Sequence, residues 1–388
     1  MVIISIITLK EFSKNKVPNE ENSLPRTEID ALVDKRIRAV TRLAYDHNQF
    51  LHGLFDVAGI NPHSDITGKT DLLKAFRKGV KTTGADVPKL LADYAPQQSL
   101  VEVWSSGSSG IPKKVVMSKS GLDRYLRGSA RGIMLQDVRD GDRLLSFAAP
   151  PPYASSVAFS LMAMMEHPRV TRLNFRSPSV PVGMSKMERE KVIKSYIDLI
   201  YDFGPHHVGG GTFIMKEFAQ LMTEHGFDKN RLSLRSVRFG GDPVSDQDRD
   251  TIKNLWNAEP FDLYASTEAG IIAYECTAHS GMHVNEQDLF ITSVDLESGE
   301  ETGPGKVGKD LCTDLYQDGE APAMFFINYS HKDNIALKAD ACPCGYAYKL
   351  IGHPTRDVRK KPLVGFGFDA RGRKQTGALG KIRRALPV

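Results

Sequence analysis

Between Ser105 and Lys113 the chain reads Ser-Ser-Gly-Ser-Ser-Gly-Ile-Pro-Lys. The hydroxyls of Ser105, Ser106, Ser108 and Ser109, the flexible Gly107 and Gly110 and a terminal cation are thus gathered in one short run. Hydroxyls and backbone N–H groups on a glycine-flexed loop can wrap a polyphosphate, and a lysine supplies a point charge. The composition points to nucleotide handling; the competing reading is a plain Ser/Gly linker. A P-loop is excluded by spacing, because Pro112 precedes the lysine and no Ser or Thr follows it.

A second set of reactive side chains is Cys276, His279, His283, Cys342 and Cys344. Zinc favours thiolate and imidazole, and four such ligands drawn from two short segments would pin those segments together. The competing reading is that the cysteines are small buried hydrophobes, which is also the expectation for Cys312 in its strand-like run.

These residues need elements to hold them. Residues from about Glu28 to Gln98 read as helical, with Ala39-Val40, Leu43-Ala44 and Phe50-Leu51 at near-helical spacing and a short helix over Thr70–Phe76. From Val101 strands alternate with helices. Leu100–Val103, Lys114–Met117, Arg143–Ala148, Val170–Leu173, Val237–Phe239 and Phe261–Tyr264 read as strands; Gly121–Leu135, Lys186–Phe203, Thr212–His225 and Asp246–Trp256 read as helices. Such alternation predicts helix-covered sheets with ligands at the strand C-terminal ends. Past Gly270 short strand-like pieces take over: Gly270–Tyr274, Leu289–Val294, Lys309–Thr313, Met324–Tyr329 and Ile335–Leu337, separated by turns such as Gly303-Pro304-Gly305. They predict a small β-subdomain.

With Phe239-Gly240-Gly241-Asp242 and Tyr264-Ala265-Ser266-Thr267-Glu268 following the Ser/Gly loop in this order, the chain resembles the acyl-adenylate-forming superfamily. The block Glu275-Cys276 … Gly281-Met282-His283, then Asp333, then Cys342-Pro343-Cys344-Gly345, is similar to the phenylacetate–CoA ligase-like branch. The resemblance runs from about residue 38 to about residue 357. It implies an α/β fold: a large N-terminal adenylation domain of helix-covered mixed sheets with a small β-subdomain, and a mobile C-terminal domain that is here truncated or vestigial. The expected organisation is an N-terminal arm and helical part (1–98), an α/β nucleotide-binding core (99–270), a β-subdomain with a zinc site (271–357) and a basic tail or vestigial C-terminal segment (358–388).

The resemblance also implies roles. Ser105, Ser106, Gly107, Ser108, Ser109 and Gly110 would donate to the β- and γ-phosphates of ATP, and Lys113 would neutralise the departing pyrophosphate. Gly240, Gly241 and Asp242 form the adenine-contacting turn, Tyr264 stacks on adenine, Ser266 joins the nucleotide site and Asp333 accepts from the ribose hydroxyls. Thr267 would donate to the α-phosphate, and Glu268 would hold Mg²⁺, a hard cation that takes oxygen ligands. One structural Zn²⁺ would sit on Cys276, His283, Cys342 and Cys344, with His279 as the alternative imidazole.

Four departures stand out. Ala265 replaces the usual glycine of the Tyr-Gly-x-Thr-Glu element. The segment Asn328-Tyr329-Ser330-His331-Lys332 lacks the arginine that relatives carry before the tyrosine. The hinge is represented by Gly352-His353-Pro354-Thr355-Arg356-Asp357, so the ribose-contacting arginine is missing or displaced to Arg356. Finally, Thr376-Gly377-Ala378-Leu379-Gly380-Lys381 is either a catalytic-lysine loop centred on Lys381 or part of a disordered basic tail.

Composition sets the outer bounds. At 41% hydrophobic and 25% charged residues, with a net charge of +4 over 388 residues, the chain reads as a soluble globular protein with no global nucleic-acid surface. Four cysteines make no secreted disulfide framework, so a reducing cytoplasm is expected. Met1–Leu9 is too short to span a bilayer. The function this implies is ATP-dependent adenylation of a carboxylic acid, with an aromatic one suggested by Tyr153, Phe159 and Phe213 around an acyl pocket at Tyr153–Phe159 and His206–Gly211. The acyl-AMP would pass to CoA, a carrier protein or a reductase; the alternatives are a complete acyl-CoA ligase and a catalytically idle scaffold.

Overall fold

A computed structural model describes residues 24–105, 113–148, 170–176 and 185–356. The chain enters on helix α1 (Arg26–His47), which buries Ile29, Val33, Ile37, Val40 and Ala44 at three- and four-residue intervals along one face. Helices α2 (Gln49–Val57), α3 (Pro62–Asp65) and α4 (Lys69–Arg77) follow, with Asn48 capping α2 by accepting from the Leu51 N–H. The short strand β1 (Thr82–Thr83) then leaves this helical layer.

Strands β2 (Val101–Trp104) and β3 (Lys114–Met117) pair antiparallel as a two-stranded ribbon, with the Ser/Gly run as its connection. Helix α5 (Lys119–Leu135) starts at the Ser118 cap. An eight-stranded sheet follows: β4 (Arg143–Ala148), β5 (Thr171–Arg176), β6 (His207–Gly211), β7 (Ser236–Gly240), β8 (Glu259–Ser266), β9 (Gly270–Glu275), β10 (Met282–Val284) and β15 (Leu350–Ile351), in the order β15-β10-β9-β8-β7-β6-β4-β5. From β5 to β8 neighbours are parallel; β8, β9, β10 and β15 pair antiparallel. Helices α6 (Lys186–Phe203), α7 (Ala219–Glu224) and α8 (Asp246–Trp256) cover one face, packing on Leu145, Phe147, Val208, Val237 and Phe239. Capping boxes at Ser185/Glu188 and Ser245/Asp248 set where α6 and α8 begin.

A five-stranded sheet completes the described fold: β11 (Leu289–Val294), β12 (Gly308–Asp314), β13 (Tyr329–Ser330) and β14 (Asn334–Ile335) join β1, which pairs parallel with β13. The N-terminal helices and these strands share one hydrophobic core, running from Ile29 and Phe55 to Phe325 and Tyr329. The eight-stranded sheet itself crosses residue 270 without interruption.

Several expected elements change. His206–Gly211, expected to line the acyl pocket, contains strand β6. Thr212–His225 is not one regular helix, because a π-helical turn over Ile214–Phe218 precedes α7. The stretch Met324–Tyr329 keeps strand character only at Tyr329, apart from an isolated bridge between Met324 and Leu91. Helix α5 carries Arg124, Arg127 and Arg131 on its buried face, where they meet Asp314, Asp288 and Glu320; Arg131 is 1% exposed.

Candidate active site and metal centre

The β2–β3 ribbon carries its loop at the end where Ser105 and Lys113 face each other. The Ser105 N–H donates to the Lys113 carbonyl at 2.9 Å, and the Lys113 N–H donates to the Ser105 Oγ at 2.8 Å. This double clasp closes the loop's neck and fixes where the lysine departs. Residues Ser106, Gly107, Ser108, Ser109 and Gly110 lie outside the described residues, as do Tyr153, Phe159 and Lys381.

The Lys113 ammonium reaches across to an ion pair with Glu268, and the Tyr329 hydroxyl donates to the same Glu268 oxygen at 2.9 Å. Glu268 is buried in the turn that follows β8, and Thr267 is half-buried beside it. Burial alone would raise the Glu268 carboxyl, but nearby His331 and Lys113 outweigh it and hold it below its ordinary value. Behind this turn, Arg124 donates to the Ala269 carbonyl at 3.1 Å.

A pocket opens on the other side of the Tyr264–Glu268 segment, walled by Gly241, Asp242, Tyr264, Ala265, Asp333 and Arg356 among others. Gly240 is required by packing, since a Cβ there would lie 2.5 Å from the Leu263 carbonyl oxygen, and Gly241 follows with φ 99°. Ala265, where the family motif has glycine, sits at a register shift between β8 and β9. The Tyr264 hydroxyl donates to Asp333 Oδ2 at 3.0 Å, and Arg356 Nε donates to Asp333 Oδ1 at 2.6 Å.

Arg356 therefore brings a guanidinium to Asp333. Asn328, in the place of the relatives' arginine, instead ties the helical layer to the β-sheet: its side-chain amide donates to the carbonyls of Leu72 at 3.2 Å and Val80 at 2.9 Å. The hinge residue His353 bonds Asp262 at 3.0 Å and approaches Glu275 at 3.3 Å; these two carboxylates, against the effect of burial, raise it to about 9.

Cys276, His283, Cys342 and Cys344 converge, with one donor atom from each within 4.8 Å of all the others. Cys276 Sγ lies 3.5 Å from Cys342 Sγ, and Cys344 Sγ 3.3 Å from His283 Nε2. Metal–sulfur bonds of about 2.3 Å in a tetrahedron demand donor separations of this order, so the set fits one zinc ion. Gly281 makes the approach to His283 possible: its φ is 133° and a Cβ would meet the Ile351 carbonyl oxygen at 2.8 Å. His279 turns away to Glu259 at 3.3 Å and stays outside the cluster.

Three participants escape sequence reasoning: Tyr329, His331 and Asp310. Tyr329 and His331 lie within the divergent segment before Asp333, but their roles depend on contacts with residues remote in sequence.

Curated relatives are phenylacetate–coenzyme A ligases. A phenylacetate–coenzyme A ligase of Thermus thermophilus is 25% identical over 338 residues, covering 86% of this chain and 71% of the relative. That of Pseudomonas putida is 24% identical over 305 residues, covering 77% and 64%. The chain resembles the phenylacetate–CoA ligase-like branch of the acyl-adenylate-forming superfamily. It is an acyl-adenylate-forming ligase similar to that branch, although no family model matches it. The adenylation-domain fold is shared with 2-hydroxyisobutyryl-CoA ligase, solved in an open conformation with 2-HIB-AMP and CoA. The TM-score is 0.73 at 17% identity, over 88% of this chain and 73% of that one. Among the described residues no helix is long and apolar enough to cross a membrane.

Proposed function

We propose that this phenylacetate–CoA ligase-like chain adenylates a carboxylic acid with ATP and Mg²⁺ and passes the acyl group to a thiol, with CoA the first candidate. The carrying observation is the Lys113–Glu268 pair beside the pocket of Tyr264, Asp333 and Arg356. In the reaction a carboxylate oxygen attacks the α-phosphorus, the bond from that phosphorus to the bridging oxygen breaks, and pyrophosphate leaves. Charge grows on phosphoryl oxygens, so positioned cations and N–H or O–H donors lower the barrier.

Lys113 is tethered at its backbone by Ser105 and extends towards the same carboxylate that would bind the metal, which suits a cation that follows the β- and γ-phosphates. Glu268 would hold Mg²⁺, which when bound spreads positive charge over the phosphate oxygens, and Thr267 would donate to the α-phosphate. Tyr264 and Gly241 would bound the adenine, while Asp333, shared by Tyr264 and Arg356, retains lone pairs for the ribose hydroxyls. The zinc set would serve stability, since four protein ligands leave no open position for substrate.

The curated relatives' phenylacetate names and Phe213, just past the end of β6, support a flat aromatic acid as substrate. Quenched single-turnover reactions comparing arylacetates and benzoates with short aliphatic acids test this. Aromatic acyl-AMP should form fastest, and faster formation from aliphatic acids would reject the aromatic reading.

A further inference from the structure

His331 is gripped from both sides. Its Nδ1 lies 2.5 Å from Asp310 Oδ2, its own backbone N–H donates to that same oxygen at 3.1 Å, and its Nε2 lies 2.8 Å from the Ser266 hydroxyl. Asp310 is fully buried and cannot swing away, since the Asp333 N–H also donates to it at 3.0 Å. Although burial opposes a charged imidazole, the Asp310 carboxylate at Nδ1 favours it, and His331 is raised well above its ordinary value. In the charged imidazole both ring nitrogens carry protons, so that Nε2 would donate to Ser266.

Ser266 Oγ also accepts from the Ala269 N–H at 2.9 Å. A hydroxyl has two acceptor lone pairs and one proton. With both lone pairs taken, the Ser266 proton can only be donated, and Ser266 stands between Tyr264 of the pocket wall and the Thr267–Glu268 turn. We propose that His331, braced by Asp310, is a positioning residue that locks the half-buried Ser266 hydroxyl as a donor to a phosphate oxygen of the bound nucleotide. The inference rests on the adenylation reading for the identity of the nucleotide, and it assigns His331 a part that the family motif does not.

The test measures binding of MgATP and of adenosine to the full chain by calorimetry. Ser266→Ala and His331→Gln should each weaken MgATP binding by roughly tenfold, as for one hydrogen bond to a charged group, and leave adenosine binding within about twofold. The double variant should lose no more than either single one, because one residue acts through the other. Ser266→Thr, which keeps the hydroxyl, should recover most of the affinity. Should His331→Gln fail to fold, Ser266→Ala with Ser266→Thr decides alone. Unchanged MgATP affinity in Ser266→Ala, additive losses in the double variant, or an acylated Ser266 found by mass spectrometry would each overturn the proposal. Binding separates this from the adenylation reading: tight, Ser266-dependent MgATP binding without any acyl-AMP would sink adenylation and leave the lock standing.

Discussion

Lys113, at the foot of a two-stranded ribbon, is ion-paired with Glu268, in the turn after a central strand of another sheet. Tyr329 donates to the same carboxylate from the five-stranded sheet, so three separate sheets meet on one buried acid. A carboxylate so enclosed is ionised only because cations face it.

Glu268→Gln removes the charge while nearly preserving the shape. Adenylation should fall by about 2–4 kcal/mol of transition-state stabilisation, as for other lost electrostatic groups. Steady-state acyl-AMP formation measures it, and a rate equal to the parent chain would remove Glu268 from the chemistry.

Zinc should be present at about one equivalent in purified protein by elemental analysis. Cys342→Ser should lower the melting temperature more than it lowers nucleotide affinity, because a four-ligand site contributes folding energy. Metal-free protein of undiminished stability would exclude the ion.

His353 gives a pH signature. Its folded value of about 9 lies above the ordinary 6.5, owing to Asp262 and Glu275. The protonated form is thus favoured by folding, and its contribution is complete below about pH 6.5 and lost as pH rises through about 9. With the ring 31% exposed, roughly 1–2 kcal/mol is expected after solvent screening. Melting curves from pH 6 to pH 10 should show the parent chain losing more stability than His353→Gln, and parallel profiles would refute the assignment.

The alternation of strands and helices from Val101 to Ser266 was legible because period-2 and period-3.6 patterns are local. Strand β6 was not, since Gly209, Gly210 and Gly211 have low strand propensity; β4 and β7 hold Gly209 and Gly210 from both sides, and β7 holds Gly211. The burial of Arg124, Arg127 and Arg131 depends on Asp288 and Asp314, far along the chain, which supply their partners. In the site, motif order located Lys113, Glu268, Tyr264 and Asp333. His331, by contrast, takes its part from Asp310 and Ser266, which only the folded chain brings to it.

The central claim, that this chain forms an acyl-adenylate, is tested most directly by acid-dependent ATP–pyrophosphate exchange across a panel of carboxylic acids. Exchange is expected with at least one acid, strongest among the aromatic members, requiring Mg²⁺ and falling by on the order of 10²-fold in Glu268→Gln. Folded, ATP-binding protein that exchanges no pyrophosphate with any acid would contradict it.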